Sequence, residues 1–450
     1  MARSGDWITP RLNGSPWFEK PPLIYWTTGL ANRLGLRDEW AARLPISLMS
    51  VAFLLFFFEI LRREFSMRVA VAATAILGAS AGWLTASFAA VPDLPMSAAL
   101  AAATLVSLFG TLPRRGLLAG VLLGLAVLAK GFVPLALFAP VLLVARGKRL
   151  AIIGAAVVVA APWYLLCLAV NGATFWNELF WKHHVERALS ADALQHGQPF
   201  WYYAPVLLAG LFPWTPLAAL MARRKIYDDG RIRFLSIWLL AAFVFFSAVP
   251  NKLPLYVLPL MPALAIILAV AVEKAPGREW WLGASMLLFV LLPTVINALP
   301  EAFLAGATKA HWSFSSAGLP LVALAAIVWW LANRGRFAGA MLAGAIAVFL
   351  SAGYLKLRTL PTLDQRYSVR SFYGAHQKQF GDACVDAYVP RTWAYGLDYY
   401  AGRGLPACGH TPATWEIHVR NGVLLIEPVV HSNQTAKRSP DRPVPLGVPE

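Results

Sequence analysis

Glu19 and Lys20 set a carboxylate beside an ammonium, directly ahead of Pro21 and Pro22. Two prolines disfavour helix there and hold the pair in extended or turn backbone. Similar groups recur at the edges of apolar runs: Asp93 in Val91-Pro92-Asp93-Leu94-Pro95, Lys130 before Gly131, and Lys252 with Tyr256 one turn later. His184 and Arg187 are three apart and share a helix face. Ionisable groups beside membrane-length segments are costly, which makes them candidates for function. Lys20, Lys130, Arg187 and Lys252 could converge on a lipid-linked phosphate. Asp93 could serve as general base toward an acceptor hydroxyl. Glu19 and His184 could hold a divalent metal, although two ligands are a thin set. Each residue also has a plainer reading. Glu19 and Lys20 make a solvated ion pair, Asp93 an N-cap, Lys130 a snorkelling lysine, Lys252 an interface anchor, and His184 with Arg187 the face of a surface helix. The chain carries no Gly-rich phosphate loop, Ser-His-Asp order or metalloprotease motif.

The elements that must position these residues are apolar. Of 450 residues, 58% are hydrophobic and 14% charged, and the mean hydropathy is +0.58. That is the composition of a polytopic membrane protein. The net charge of +16 sits in short loops between apolar runs, so it does not point to nucleic acid. About twelve runs of membrane character occur, at 44–61, 69–91, 94–112, 116–129, 131–145, 150–170, 199–222, 234–250, 253–272, 280–300, 317–332 and 337–355. Alternate loops hold 17 Lys and Arg against 5. The richer set is cytoplasmic by the positive-inside rule. Residues 1–43, the candidate residues and the tail from 356 then lie on the outer face, which argues against a nucleotide-linked donor. A chain that begins outside without a leader predicts a further transmembrane helix upstream, thirteen in all.

The patterning around 174–190 and 28–43 predicts helices lying in the interface plane. Trp201-Tyr202-Tyr203 reads as an aromatic belt. Residues 1–43 form an outer loop and 44–355 the transmembrane domain. Residues 356–431 read as a small outer α/β domain, with 385–389, 395–400 and 422–426 as strands or short α/β elements. Cys384 and Cys408 are expected to pair there, since that compartment is oxidising. Residues 432–450 are Pro-rich and predicted to be disordered.

The ordered motifs look familiar. Ser4-Gly5-Asp6-Trp7-Ile8-Thr9-Pro10, Asn13-Gly14 and Phe18-Glu19-Lys20-Pro21-Pro22-Leu23-Ile24-Tyr25-Trp26 resemble the bacterial aminoarabinose lipid A transferases and the protein O-mannosyltransferase-like glycosyltransferases of GT-C fold (family 39-like). The resemblance continues through Val91-Pro92-Asp93, Ala129-Lys130-Gly131-Phe132, residues 180–187, 199–203 and 252–256, and covers about 1–270. It implies an all-α GT-C membrane protein that moves a sugar from a polyprenyl phosphate to lipid A, another glycan or a protein, with inversion. It implies that Lys20 and Arg187 bind the donor phosphate, with Lys252 and Tyr256 near it. Glu19 and His184 would match a metal-binding pair, and Asp93 an acidic residue of the second outer loop. The family's Asp-Glu-x-x-Tyr motif, which precedes this stretch, is not in the chain. Two other readings stay open: a transporter or flippase of lipid-linked sugar, and a non-catalytic relative. A transporter should place its charges near the bilayer midplane and often shows internal repeats.

Overall fold

The structure is a computed structural model that describes residues 1–2, 4–109, 114–186, 197–305, 309–409, 412–420 and 422–429. The chain forms two compact units, Met1–Phe289 with Leu321–Val348, and Val290–Pro320 with Phe349–Glu450.

The first unit opens with a hairpin of β1 (Arg11–Leu12) and β2 (Ser15–Pro16). Asn13 and Gly14 turn it at φ 50° and 83°, the left-handed pair that a two-residue hairpin turn needs. Helix α1 (Leu23–Arg33) and helix α2 (Asp38–Glu64) follow. The helix expected over 28–43 is therefore broken. Gly35 takes φ 87° between the two, open to glycine without the Cβ penalty. Next come α3 (Met67–Gly78), α4 (Ala81–Phe88), α5 (Asp93–Leu108), α6 (Arg115–Lys130), α7 (Val133–Val144) and α8 (Arg149–Phe175). Backbone at Gly172 is not helical (φ 52°, ψ −132°), and a second helical segment follows it, π-helical over Trp176–Glu186.

Among the described residues, seven helices are long and apolar enough to cross a membrane. Two bent pairs, α3 with α4 (59°) and Phe200–Gly210 with Thr215–Ala222 (118°), raise this to nine. The other three apolar runs are α5, α6 and α7, of 16, 16 and 12 residues. Each is shorter than the roughly 20 residues that a perpendicular span requires. The protein is a multi-pass membrane protein whose central span is Pro254–Lys274. That helix is 89% buried within the protein, against 22–39% for the other six full-length spans.

Helices α6 and α8 touch backbone to backbone. Gly116, Gly120 and Gly124 line one face of α6 at every fourth residue. A Cβ on Gly120 would lie 2.3 Å from the Ile152 carbonyl oxygen, and one on Gly124 2.7 Å from Val159 Cβ. Small residues at this spacing are how helices approach closely in lipid, where no hydrophobic effect drives them together.

The second unit holds a three-stranded sheet of β3 (Ala383–Val385), β4 (Trp415–Arg420) and β5 (Val423–Pro428). β3 pairs parallel to β4, and β4 antiparallel to β5. Residues 395–400 lie in a helix, Arg391–Ala401, started after Pro390 and closed by Gly402 at φ 70°. Trp393, Leu397 and Ala401 recur with helical spacing and pack in the core of this unit with Ile417 and Val385. Cys384 and Cys408 form the expected disulfide. Residues 432–450 lie outside the described residues.

Candidate active site

The N-terminal stretch is shaped by its own short polar groups and then fastened to α8. The Asp6 carboxylate accepts the N–H groups of Ile8 and Thr9, both at 3.0 Å. These bonds, led by the one from Thr9, hold its pKa below the usual carboxylate value against the opposing effect of burial. The carbonyls of Trp7 and Ile8 then accept the indole N–H groups of Trp26 (2.8 Å) and Trp163 (2.9 Å). The Asn171 amide donates to Thr9 Oγ1 at 2.9 Å. Phe18 is fully buried, edge-on to Phe175 at 5.1 Å, in a cluster with Val127, Leu128, Cys167 and Leu179. Glu19 and Lys20 leave this anchor directly, 3.6 Å apart and with about a quarter of each side chain exposed. Burial first, and the nearby Glu19 charge second, push the Tyr25 phenol up from its ordinary value.

A second cluster forms where helices end. Asp93 opens α5 and Lys130 closes α6, each at the terminus whose dipole favours its charge. The two form an ion pair across 37 residues of sequence, with side chains 9% and 11% exposed. The Lys130 ammonium also sits 4.2 Å from the centroid of the Tyr256 ring, a cation–π contact. The plainer readings differ from what is seen: Lys130 meets Asp93 and not water, and Asp93 is the first residue of α5, whose N-cap is Pro92. Lys252 is buried and donates to the Gln198 carbonyl oxygen at 2.9 Å. Burial lowers its pKa from the ordinary lysine value. Tyr203, read from sequence as part of an interfacial belt, is fully buried.

The structure thus joins Asp93, Lys130 and Tyr256 directly, and places Lys252 one turn before Tyr256. Phe18 packs against Val127 and Leu128 on α6 and beside Phe132, so Glu19–Lys20 and Lys130 are tied to one aromatic cluster. The His184 side chain and all of Arg187 lie outside the described residues. Among the described residues no three His, Cys, Asp or Glu converge as a metal site. Glu19 is paired with its neighbour's ammonium, and one such carboxylate does not amount to a metal site. Sequence reasoning passed over the α6 glycines, whose every-fourth spacing was the available signal. It also passed over Asn251, the residue before Lys252.

Residues 19–181 match the family model of dolichyl-phosphate-mannose-protein mannosyltransferases. The undecaprenyl phosphate-α-4-amino-4-deoxy-L-arabinose arabinosyl transferase of Serratia proteamaculans is 34% identical over 298 residues, 61% of this chain and 53% of that one. Its counterpart in Pectobacterium carotovorum is 31% identical over 74% of this chain and 64% of its own. The crystal structure of ArnT from Cupriavidus metallidurans bound to undecaprenyl phosphate superposes with TM-score 0.72 at 24% identity, covering 91% of this chain and 80% of that one. This chain is similar to these transferases and has the GT-C fold of the ArnT structure. It spans about half to under two thirds of the length of the sequence relatives described.

Proposed function

We propose that this relative is a membrane glycosyltransferase. It takes a sugar from a polyprenyl phosphate, of the undecaprenyl kind, and passes it to lipid A, another glycan or a protein. We place the reaction at the outer, periplasmic face of the bacterial cytoplasmic membrane. The observation that carries this reading is the Asp93–Lys130–Tyr256 cluster: a buried ion pair at two helix termini, capped by an aromatic face, on a frame shared with such an enzyme. The acceptor oxygen attacks the anomeric carbon from the face opposite the phosphate. The C–O bond to the phosphate breaks, and the polyprenyl phosphate leaves with the electron pair. Lys130 and Lys252, already largely withdrawn from water, stabilise the charge that grows on the leaving phosphate. Lys20, more exposed and on a fixed backbone, reaches the same phosphate with Arg187. Asp93 orients a hydroxyl acceptor and takes its proton. Glu19 and His184 remain the two positions at which a metal would be sought.

Transfer of label from undecaprenyl-phosphate sugar in membranes tests the reading. Lys20→Ala and Asp93→Asn should each reduce transfer at least about 100-fold, the scale of losing a general base or a transition-state contact. Undiminished transfer in both variants would sink the assignment. Lipid flipping in vesicles without transfer from any donor would favour a transporter instead.

A further inference from the structure

Among the described residues, Asn251 is the one side chain with both of its polar atoms buried and unpartnered, the amide nitrogen and the amide oxygen alike. It is 2% exposed. Leaving such an amide unpaired is costly, so a partner of matching chemistry belongs there. The Tyr203 hydroxyl is buried too, its oxygen beside the Leu253 backbone N–H and its own proton without a close acceptor among the described residues. The Leu253 carbonyl in turn accepts the Tyr256 N–H at 3.1 Å. The two orphans therefore flank one turn, Asn251 to Leu253, which also carries Lys252. The Lys252 ammonium has three donors, of which Gln198 takes one.

Asn251 differs from the other orphans among the described residues. Thr74, Thr104, Ser236, Ser247 and Tyr203 each leave a single hydroxyl, and Trp214, Trp329 and His418 a single ring nitrogen. Asn251 offers a donor and an acceptor together, from a turn with a bridge to Gly197. A paired amide donor and acceptor, with a hydroxyl nearby, suits neighbouring hydroxyl or amino groups on a sugar ring. It does not suit a phosphate, which offers acceptors only.

We infer that Asn251 and Tyr203 form a subsite for the sugar ring of the lipid-linked donor, next to the Asp93–Lys130–Tyr256 cluster. This rests on the reading of that cluster as the phosphate-sugar centre. Asn251 reads two ring substituents through its amide, and Tyr203 supplies a third hydrogen bond. The cations hold the phosphate, so the two parts of the donor are read by different residues. The subsite therefore governs sugar preference and leaves the affinity for bare lipid phosphate untouched.

The test is binding of two lipids to the purified full chain in nanodiscs: undecaprenyl phosphate, and undecaprenyl phosphate-α-4-amino-4-deoxy-L-arabinose. Tyr203→Phe and Asn251→Leu should each weaken the sugar-bearing lipid about five- to tenfold, the worth of one or two hydrogen bonds, with undecaprenyl phosphate unchanged. Tyr203→Phe keeps the ring and so reports even if Asn251→Leu does not fold. Equal weakening of both lipids, or no change in either, overturns the subsite and leaves the phosphate centre standing. So does a wild-type protein that binds the two lipids equally. A wild-type protein that binds neither lipid defeats the phosphate-sugar reading, and the subsite with it.

Discussion

Two oppositely charged pairs in this protein have the same chemistry and opposite construction. Glu19 and Lys20 are neighbours in sequence, 3.6 Å apart, with about a quarter of each side chain in contact with solvent. Asp93 and Lys130 come from different helices and are nearly sealed from solvent, with Tyr256 over the ammonium. The first pair is cheap to rearrange, because water compensates each charge when they separate. The second is costly to break, because either partner left alone is an uncompensated buried charge. The difference suits a division of work. Under the proposed function, the half-buried Lys20 would exchange its carboxylate for an arriving phosphate, while the buried pair would keep the geometry in which the exchange takes place.

The widest break in the comparison comes from the frame beneath it. Replacing Gly120 by Leu forces a side chain into the Ile152 carbonyl. That separates α6, which carries Lys130, from α8, which holds the Glu19–Lys20 stretch in place. We expect loss of folded protein by size-exclusion chromatography in detergent, a larger effect than any substitution within either pair. Normal folding would show that the two helices need not touch.

Double-mutant cycles sharpen the contrast itself. Removing Lys130 alone should destabilise the protein by about 3–5 kcal/mol in thermal or denaturant unfolding, with Asp93→Asn recovering part of it. The coupling between Glu19 and Lys20 should be about 0.2–1 kcal/mol. Equal coupling in the two pairs would remove the distinction.

The smallest effect is a pH response from the buried cation. The folded-state pKa of Lys252 is lowered from 10.5 by burial. As pH rises through that lowered value, the folded protein gives up the proton before the unfolded chain does. Fold stability should therefore increase over the interval up to 10.5, while affinity for undecaprenyl phosphate falls. Lys252→Arg should flatten both curves, since a guanidinium stays charged. Parallel loss of stability and affinity in the wild type would contradict the assignment of the fall in binding to Lys252.

Much of the protein was legible before any coordinates. Long apolar runs and the segregation of Lys and Arg are local properties, and the runs are helical, two of them as bent pairs. The disulfide followed from two cysteines in a segment read as extracytoplasmic. The resemblance was carried by motifs whose residue types are visible directly. Other features were misread for a physical reason. Tyr203 looked interfacial because it follows Trp201 and Tyr202, yet the bend of 118° between Phe200–Gly210 and Thr215–Ala222 belongs to a span whose Tyr203 is sealed inside. For residues 395–400 the sequence left strand and short helix both open, and the proline before them and Gly402 after them bound a helix. Lys130 had a ready explanation in snorkelling, which assumed that water was its best partner.

The sequence by itself determined the class of protein, the ends of most helices and the residue types available for phosphate chemistry. These depend on hydropathy, proline, glycine and charge read over short windows. Only the tertiary structure decided that Asp93 meets Lys130 across 37 residues, that Tyr256 covers that ammonium, and that Asn251 is buried with its amide unpaired. Such facts depend on which helices approach, and how closely. In lipid that is set by the shape of small-residue faces such as Gly116-Gly120-Gly124 fitting a partner far away in the chain.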